Sequence, residues 1–373
     1  MATDLRPLQR ALSALRFTVP LEEGDANYVE REDGLGQQIL DRIMIPSTHR
    51  LLLAGPAGCG KSTELLQLHR LAHPNYSVFN CPCDRDLDLF RFDPSLLVRY
   101  LIWRMVFVVE AELAEQVKLT SEIRKDALRC LGGIADFDIH NPRLFFSALQ
   151  DDTQRTSLAS QPLIYATFSR LVSEIERAFL PALLLIDGLE KMPPTLPADT
   201  LGSFLRAPLL DECQSVTVVP SWVVYGWGSM EQYADTEVLR VSVPQDPTFV
   251  RGVVERRASR VFKPDALDDI AAYSGGVVRD GLQIAGIACR VAMSERSGAS
   301  VTKAHVRQGR DALAQSFESM ISDDPAAVKS FLSHVEQQGT LPGSPELRNR
   351  LLGNGIVLPN ADGTFRVHPC ARW

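Results

Sequence analysis

The 373-residue sequence predicts an α/β fold, a parallel sheet followed by helical units. Three features carry that expectation. Residues 55–63 read Gly-Pro-Ala-Gly-Cys-Gly-Lys-Ser-Thr and follow the apolar run Leu51-Leu52-Leu53-Ala54. A second run, Ala182-Leu183-Leu184-Leu185-Ile186, ends in Asp187-Gly188-Leu189-Glu190. From Thr248 onward the apolar spacing becomes helical. Short apolar runs bounded by turn signals read as strands buried on both faces, the habit of parallel sheets.

The loop matches G-x-x-x-x-G-K-[ST] in full, from Gly55 through Pro56, Ala57, Gly58, Cys59, Gly60, Lys61 and Ser62 to Thr63. In that pattern the glycines let backbone N–H groups turn toward phosphate oxygens. The lysine reaches the β- and γ-phosphates, and the serine hydroxyl ligates Mg²⁺. Leu65, Leu68, Leu71 and Ala72 then recur at helical spacing until His73-Pro74. A helix starting at the loop points its positive N-terminal end at the phosphates. The combination predicts a P-loop NTPase fold with ATP or ADP as ligand and Mg²⁺ as cofactor. An acid ending a buried strand completes such a site, so Asp187 joins Ser62 as the expected Mg²⁺ set. Glu190 is the nearest candidate to orient or deprotonate the attacking water, although a solvated loop charge fits it equally well.

Each remaining element follows in order. Tyr76 to Asn80 reads as a strand. Helical patterns then cover Pro94 to Val117, Ser121 to Leu131, Pro142 to Leu149 and Leu158 to Phe179, with polar stretches near Asp136 to Asn141 and Asp151 to Ser157. So long a connection between the loop and Asp187 predicts a helical insertion over about residues 84–180. Val216 to Tyr225 should be the next strand, with Ser221 placed to sense the γ-phosphate, and Val238 to Val243 the last. Helices are expected over Thr248 to Val261, Pro264 to Tyr273 and Val277 to Met293. The turn Ser274-Gly275-Gly276 sets Arg279 in the first turn of the third, the expected position of a γ-phosphate-sensing cation. Pro345 to Leu352 reads as a short helix, and Asn360-Ala361-Asp362-Gly363 as the turn of a β-hairpin. The expected domains are an N-terminal extension (1–24), a nucleotide-binding domain (25–244), a helical lid (245–320) and a terminal helix-and-hairpin domain (325–373).

Composition narrows the function. Hydrophobic content of 45% and charged content of 23% are those of a folded globular chain. The most apolar long stretch, Leu96 to Leu113, is broken by Arg99, Arg104, Glu110 and Glu112, so no membrane span is expected. No secretion signal is expected at the N-terminus, and seven scattered cysteines fit reduced thiols, so a cytoplasmic location is expected. A net charge of −7 argues against wholesale electrostatic binding of nucleic acid. Five basic against three acidic residues over 325–373 are too few to claim DNA there. His69, His73, Cys81 and Cys83 could be imagined as a zinc set. A helix end and a strand carry the two pairs about 20 Å apart, which argues against it.

Phosphate loop, strand-Asp-Gly-Leu-Glu and Ser-Gly-Gly-x-x-Arg-Asp together resemble the STAND and origin-recognition-like branches of the AAA+ ATPases, over about residues 25–320. That resemblance implies a lid arginine, Arg279, on the nucleotide. It also implies a segment before the first strand, Tyr28-Val29-Glu30-Arg31, bordering the adenine, so that Tyr28, Val29 and Arg31 join the binding set. The terminal helix and hairpin resemble the winged-helix domain of those families. There a histidine matching His368 can reach the nucleotide; a lone surface histidine is the plainer reading. One departure stands out. Typical AAA+ ATPases have Asp-Glu where this chain has Asp187-Gly188, so either Glu190 substitutes or hydrolysis is slow. The implied role is a nucleotide-gated switch that oligomerises or engages a protein partner, with bacterial signalling or phage defence as its setting. The alternative is an initiator-like or transposition-regulator-like ATPase directed to duplex DNA. Arg240 is a candidate trans-acting arginine, against the plainer reading of an edge-strand surface charge.

Overall fold

The computed structural model describes residues 5–17, 20–21, 24–45, 49–132, 141–153, 161–196, 198–205, 207–226, 236–244, 246–258, 260–295, 300–321, 324–343 and 345–371. In chain order the first elements are α1 (Arg6–Ala14), α2 (Leu35–Ile43), β1 (Arg50–Ala54), α3 (Lys61–Ala72), β2 (Ser77–Pro82) and α4 (Cys83–Asp86). Then come α5 (Pro94–Ala111), α6 (Ser121–Cys130), α7 (Pro142–Thr153), α8 (Gln161–Ala178), β3 (Ala182–Asp187), α9 (Ala198–Leu205), β4 (Gln214–Val219), α10 (Ser221–Gly226) and β5 (Thr236–Arg240). The chain closes with α11 (Thr248–Arg257), α12 (Pro264–Tyr273), α13 (Val278–Ser294), α14 (Lys303–Met320), α15 (Pro325–Gln338), α16 (Pro345–Gly353), β6 (Val357–Pro359) and β7 (Phe365–Val367). Two compact units result. One comprises Gly36–Ala54 and Leu65–Leu239, the other Met1–Leu35, Gly55–Glu64 and Arg240–Trp373.

The first unit is built on the sheet, in the order β2-β3-β4-β1-β5. The pairs β2/β3, β3/β4 and β1/β4 are parallel, in registers such as Phe79↔Leu184, Leu185↔Val216 and Leu53↔Val218. Every residue of β1 and β3 is buried, as runs without polar alternation require. Being parallel, β1, β3 and β4 end along one edge, where β3 delivers Asp187. Between β2 and β3 the described chain is helical, from α4 to α8. Its long helix α5 starts at Pro94 with the Asp93 carboxylate accepting from the Ser95 N–H, and twelve of its residues are buried. At about 1.5–3 kcal/mol for each large apolar side chain, that burial outweighs the charges that interrupt the run. Arg104 donates to the Asn80 carbonyl at 2.7 Å, so this partly buried polar group is paired.

Several boundaries differ from the sequence expectation. The strand expected over Val216–Tyr225 ends at Val219, because Pro220 has no N–H to give the ladder and initiates α10 instead. Ser221 is therefore a buried first-turn helix residue rather than a strand position. The strand expected over Val238–Val243 is Thr236–Arg240. The helix expected to reach Val261 stops at Arg257, and Arg260 has φ +74°, which no helix accommodates. The polar stretch over residues 136–140 and the start expected at Leu158 lie outside the described residues.

In the second unit, α11 to α14 form a helical group on which α1 packs through α13. Small residues set the closest approaches: a Cβ at Gly309 would stand 2.6 Å from the Ile284 carbonyl oxygen. Helices α15 and α16 precede the antiparallel hairpin β6/β7, with Leu358 opposite Arg366. Leu358 joins Val243 and Val277 in one buried apolar cluster. Among the described residues, no helix is long and apolar enough to cross a membrane.

Candidate functional site

The phosphate loop belongs to the second unit, and its glycines are there for different reasons. Gly58 has φ +86° and Gly60 φ +98°, both in the left-handed region. A Cβ at Gly58 would lie 2.5 Å from Arg279 Cβ, whereas at Gly60 nothing lies within 4 Å. Gly60 thus answers to backbone conformation alone, Gly58 also to a neighbour. Lys61 is buried, and its ammonium donates to the Gly55 and Pro56 carbonyls at 2.9 and 2.8 Å. Cys59 Sγ is 3.8 Å from the same nitrogen. Ser62 and Thr63 open α3 half-exposed.

Arg279 meets this loop from α13. Its backbone N–H donates to the Gly58 carbonyl at 3.1 Å. The glycine turn before it packs closely, since a Cβ at Gly276 would stand 2.2 Å from the Pro244 oxygen. Behind that turn lies His368, fully buried and not at the surface, which corrects the plainer expectation. Its Nδ1 accepts the Cys370 N–H at 3.1 Å, so Nε2 carries the proton of the neutral ring. Nε2 lies 3.0 Å from the Ser274 carbonyl oxygen and 3.2 Å from the Asp280 carboxylate. Arg366 of β7 donates to the Gly275 carbonyl at 2.8 Å. The hairpin is thereby bonded to the turn that carries Arg279.

The segment before β1 reaches the loop from the other direction. Arg31 is buried; it forks onto the Asp33 carboxylate at 2.9 and 2.5 Å and donates to the Cys59 carbonyl at 2.9 Å. Its guanidinium stands 5.8 Å from the Phe249 ring centre. Burial disfavours the Arg31 charge, but the hydrogen bond and charge of Asp33 outweigh it and raise the pKa. Burial likewise works against the Asp33 carboxylate, yet its bonds from Arg31 and the Leu35 N–H hold it below the ordinary range. The Tyr28 hydroxyl donates to the buried Glu64 carboxylate at 3.3 Å. Burial first, then the Glu64 charge, pushes that phenol up. Val29 is half-buried between these anchors. A cavity of about 300 Å³ is lined by Arg31, Asp33, Val243, Pro244 and Phe249. Sequence reasoning missed Asp33 and Glu64, and gave Asp280, which closes the Ser-Gly-Gly-x-x-Arg-Asp motif, no role of its own. The available hint was that each is an acid one or two residues from a position already singled out.

The expected acids lie in the sheet unit. Asp187 closes β3, buried, in register with Pro82. Gly188 follows with φ +90° and opens a 3-10 turn, Leu189–Lys191, that presents Glu190 half-exposed. Arg240 ends β5 exposed. His69 lies in the last turn of α3 and His73 just after it, while the buried Cys81 and Cys83 thiols donate to the Phe79 and Cys81 carbonyls.

No family model matches this sequence, and no curated protein matches it. Solved structures do. The Walker-type ATPase PABY2304 of Pyrococcus abyssi superposes with a TM-score of 0.51 at 12% identity, over 96% of this chain and 98% of that one. The chain has the α/β fold of a P-loop NTPase. Cdc6p from Pyrobaculum aerophilum is similar at 16% identity with a TM-score of 0.48, covering 96% of this chain and 93% of that chain. The Orc1 protein of Aeropyrum pernix, in complex with DNA, gives 15% identity and 0.45, with the same coverage. At such identities the P-loop NTPase likeness speaks for the fold alone.

Proposed function

We propose that this chain binds and hydrolyses ATP and that the bound nucleotide sets its conformation, its self-association or its engagement of a protein partner. The observation that carries the reading is the Arg279 N–H bonded to the Gly58 carbonyl. It sets Arg279 beside Gly58, and both fall in the same compact unit as His368, which supports a lid role for Arg279. The residues present fit a nucleoside triphosphate with Mg²⁺. Two loop glycines hold the left-handed conformation that turns N–H groups inward, and Lys61 now spends its donors on loop carbonyls that phosphate oxygens can replace. Ser62 and Asp187 would hold Mg²⁺, which neutralises developing phosphate charge. Glu190 would orient or deprotonate the attacking water. Arg279 would bind the γ-phosphate, so that loss of this phosphate loosens the turn at 274–276 and, through Arg366 and His368, the hairpin. Tyr28, Val29 and Arg31 would border the adenine.

A second reading, an ATPase directed to duplex DNA, is supported by the order of α15, α16 and a hairpin, which resembles that of a winged helix. One pair of measurements separates the two. Nucleotide-dependent mass or shape without DNA supports the switch. A DNA mobility shift that falls steeply with salt supports the second reading.

A further inference from the structure

The departure at Gly188 has a structural counterpart in the same unit. A Cβ built at residue 188 would stand 2.6 Å from Asp84 Oδ1 and 2.7 Å from both Asp84 Cβ and its backbone nitrogen. Real Cβ atoms do not approach so closely, and φ +90° strains any other residue, so a glutamate at 188 is excluded by Asp84 and by the backbone together. Asp84 lies on α4, immediately after β2, and is only 19% exposed. On the far side of Glu190, the Lys191 ammonium pairs with the Asp84 carboxylate. One side chain therefore holds both flanks of the Gly188–Lys191 turn, with Glu190 between them.

The neighbouring acid is differently employed. Asp86 accepts from the Tyr100 hydroxyl at 2.9 Å and faces Arg104 and Arg85. Burial first, then neighbouring Cys81, Asp187, Asp84 and Asp86, pushes the Cys83 thiol up. Of the two aspartates on α4, Asp84 is the one that touches the turn after Asp187.

We propose that Asp84 is a positioning residue for hydrolysis. Through its contact at Gly188 and its ion pair with Lys191, it fixes the direction of Glu190 in place of the acid that the chain lacks after Asp187. The inference rests on the hydrolytic reading above. The ion pair is half-solvated and contributes little to stability, so its effect belongs in turnover rather than in folding. A catalytic group displaced by an ångström can lose about 10²-fold in rate.

The test is steady-state ATPase kinetics on the full chain for wild type, Asp84→Asn, Asp84→Ala, Lys191→Ala and the charge swap Asp84→Lys/Lys191→Asp. ATP affinity by calorimetry and thermal unfolding are measured alongside. The expected result is a kcat loss of about 10- to 100-fold in Asp84→Ala and Lys191→Ala, with ATP affinity and midpoint unchanged. Measured with them, the double variant Asp84→Ala/Lys191→Ala should be no slower than the worse single one, and the swap should recover part of kcat. Lys191 is half-exposed, so its variant folds even if Asp84→Ala does not. Turnover within twofold of wild type in Lys191→Ala and Asp84→Asn overturns the proposal, as does a rate loss matched by lost affinity. A wild type that binds ATP tightly but never hydrolyses it removes the hydrolytic reading itself, an outcome distinct from inert Asp84 variants.

Discussion

One methyl group at Gly58 should uncouple α13 from the phosphate loop. Gly58→Ala places a Cβ 2.5 Å from Arg279 Cβ, 3.2 Å from Arg279 Nε and 3.2 Å from Val277 Cγ1, at φ +86°. The left-handed conformation alone costs roughly 1–2 kcal/mol for an L-residue. Relieving the overlap requires α13 to retreat, which breaks the Arg279 N–H to Gly58 bond, worth about 1 kcal/mol more. The strain is shared with Gly60→Ala, so the part specific to the contact is about 1 kcal/mol, a shift of about fivefold in the equilibrium that forms it. Gly60→Ala is the control, since it carries similar strain at φ +98° but meets nothing within 4 Å. Hydrogen exchange of the amides at 277–281, without nucleotide, reads the contact directly. Exchange should accelerate in Gly58→Ala and change much less in Gly60→Ala. Equal protection in Gly58→Ala and wild type would refute the reasoning, because the loop would then yield without moving α13.

Four further outcomes follow from the same site. Lys61→Ala should weaken ATP binding by roughly 2–4 kcal/mol, a charge-assisted phosphate contact in a buried setting, as measured by calorimetry. Glu190→Gln should keep ATP binding while slowing hydrolysis about 10²-fold, and Asp187→Asn should lose Mg²⁺-dependent turnover. The depressed Asp33 pKa means that its bond to Arg31 stabilises fully above the ordinary carboxylate value of about 4 and is lost as pH falls through the lower folded value. Thermal midpoints should therefore drop more steeply below about pH 4 in wild type than in Asp33→Asn; parallel curves would show that the pair carries no such linkage.

The sheet and the loop were legible in the sequence because their signals are local. Leu51 to Ala54 and Ala182 to Ile186 are uninterrupted apolar runs, and the Gly-Lys-Ser pattern prescribes its own backbone. Pro264 to Tyr273 was legible to the residue, since Pro264 starts the helix and a glycine pair follows it. The strand after Val219 was misjudged because Val223 and Val224 are as apolar as a strand residue while Pro220 alone decides the geometry. His368 was misjudged because burial of a histidine depends on Ser274 and Asp280, nearly a hundred residues away. Asp84 carried no local signal at all. Its role is written in the approach of α4 to Gly188, which only the folded chain displays.

The central claim, that nucleotide state controls architecture through Arg279, is tested most directly by light scattering and hydrodynamic radius with ATP, with ADP and without nucleotide, for wild type and Arg279→Ala. Wild type should change mass or compactness between ATP and ADP, and Arg279→Ala should bind both nucleotides yet give the same mass and radius with each. A wild type that is monomeric and equally compact in all three states, with its partner also present, would contradict the account.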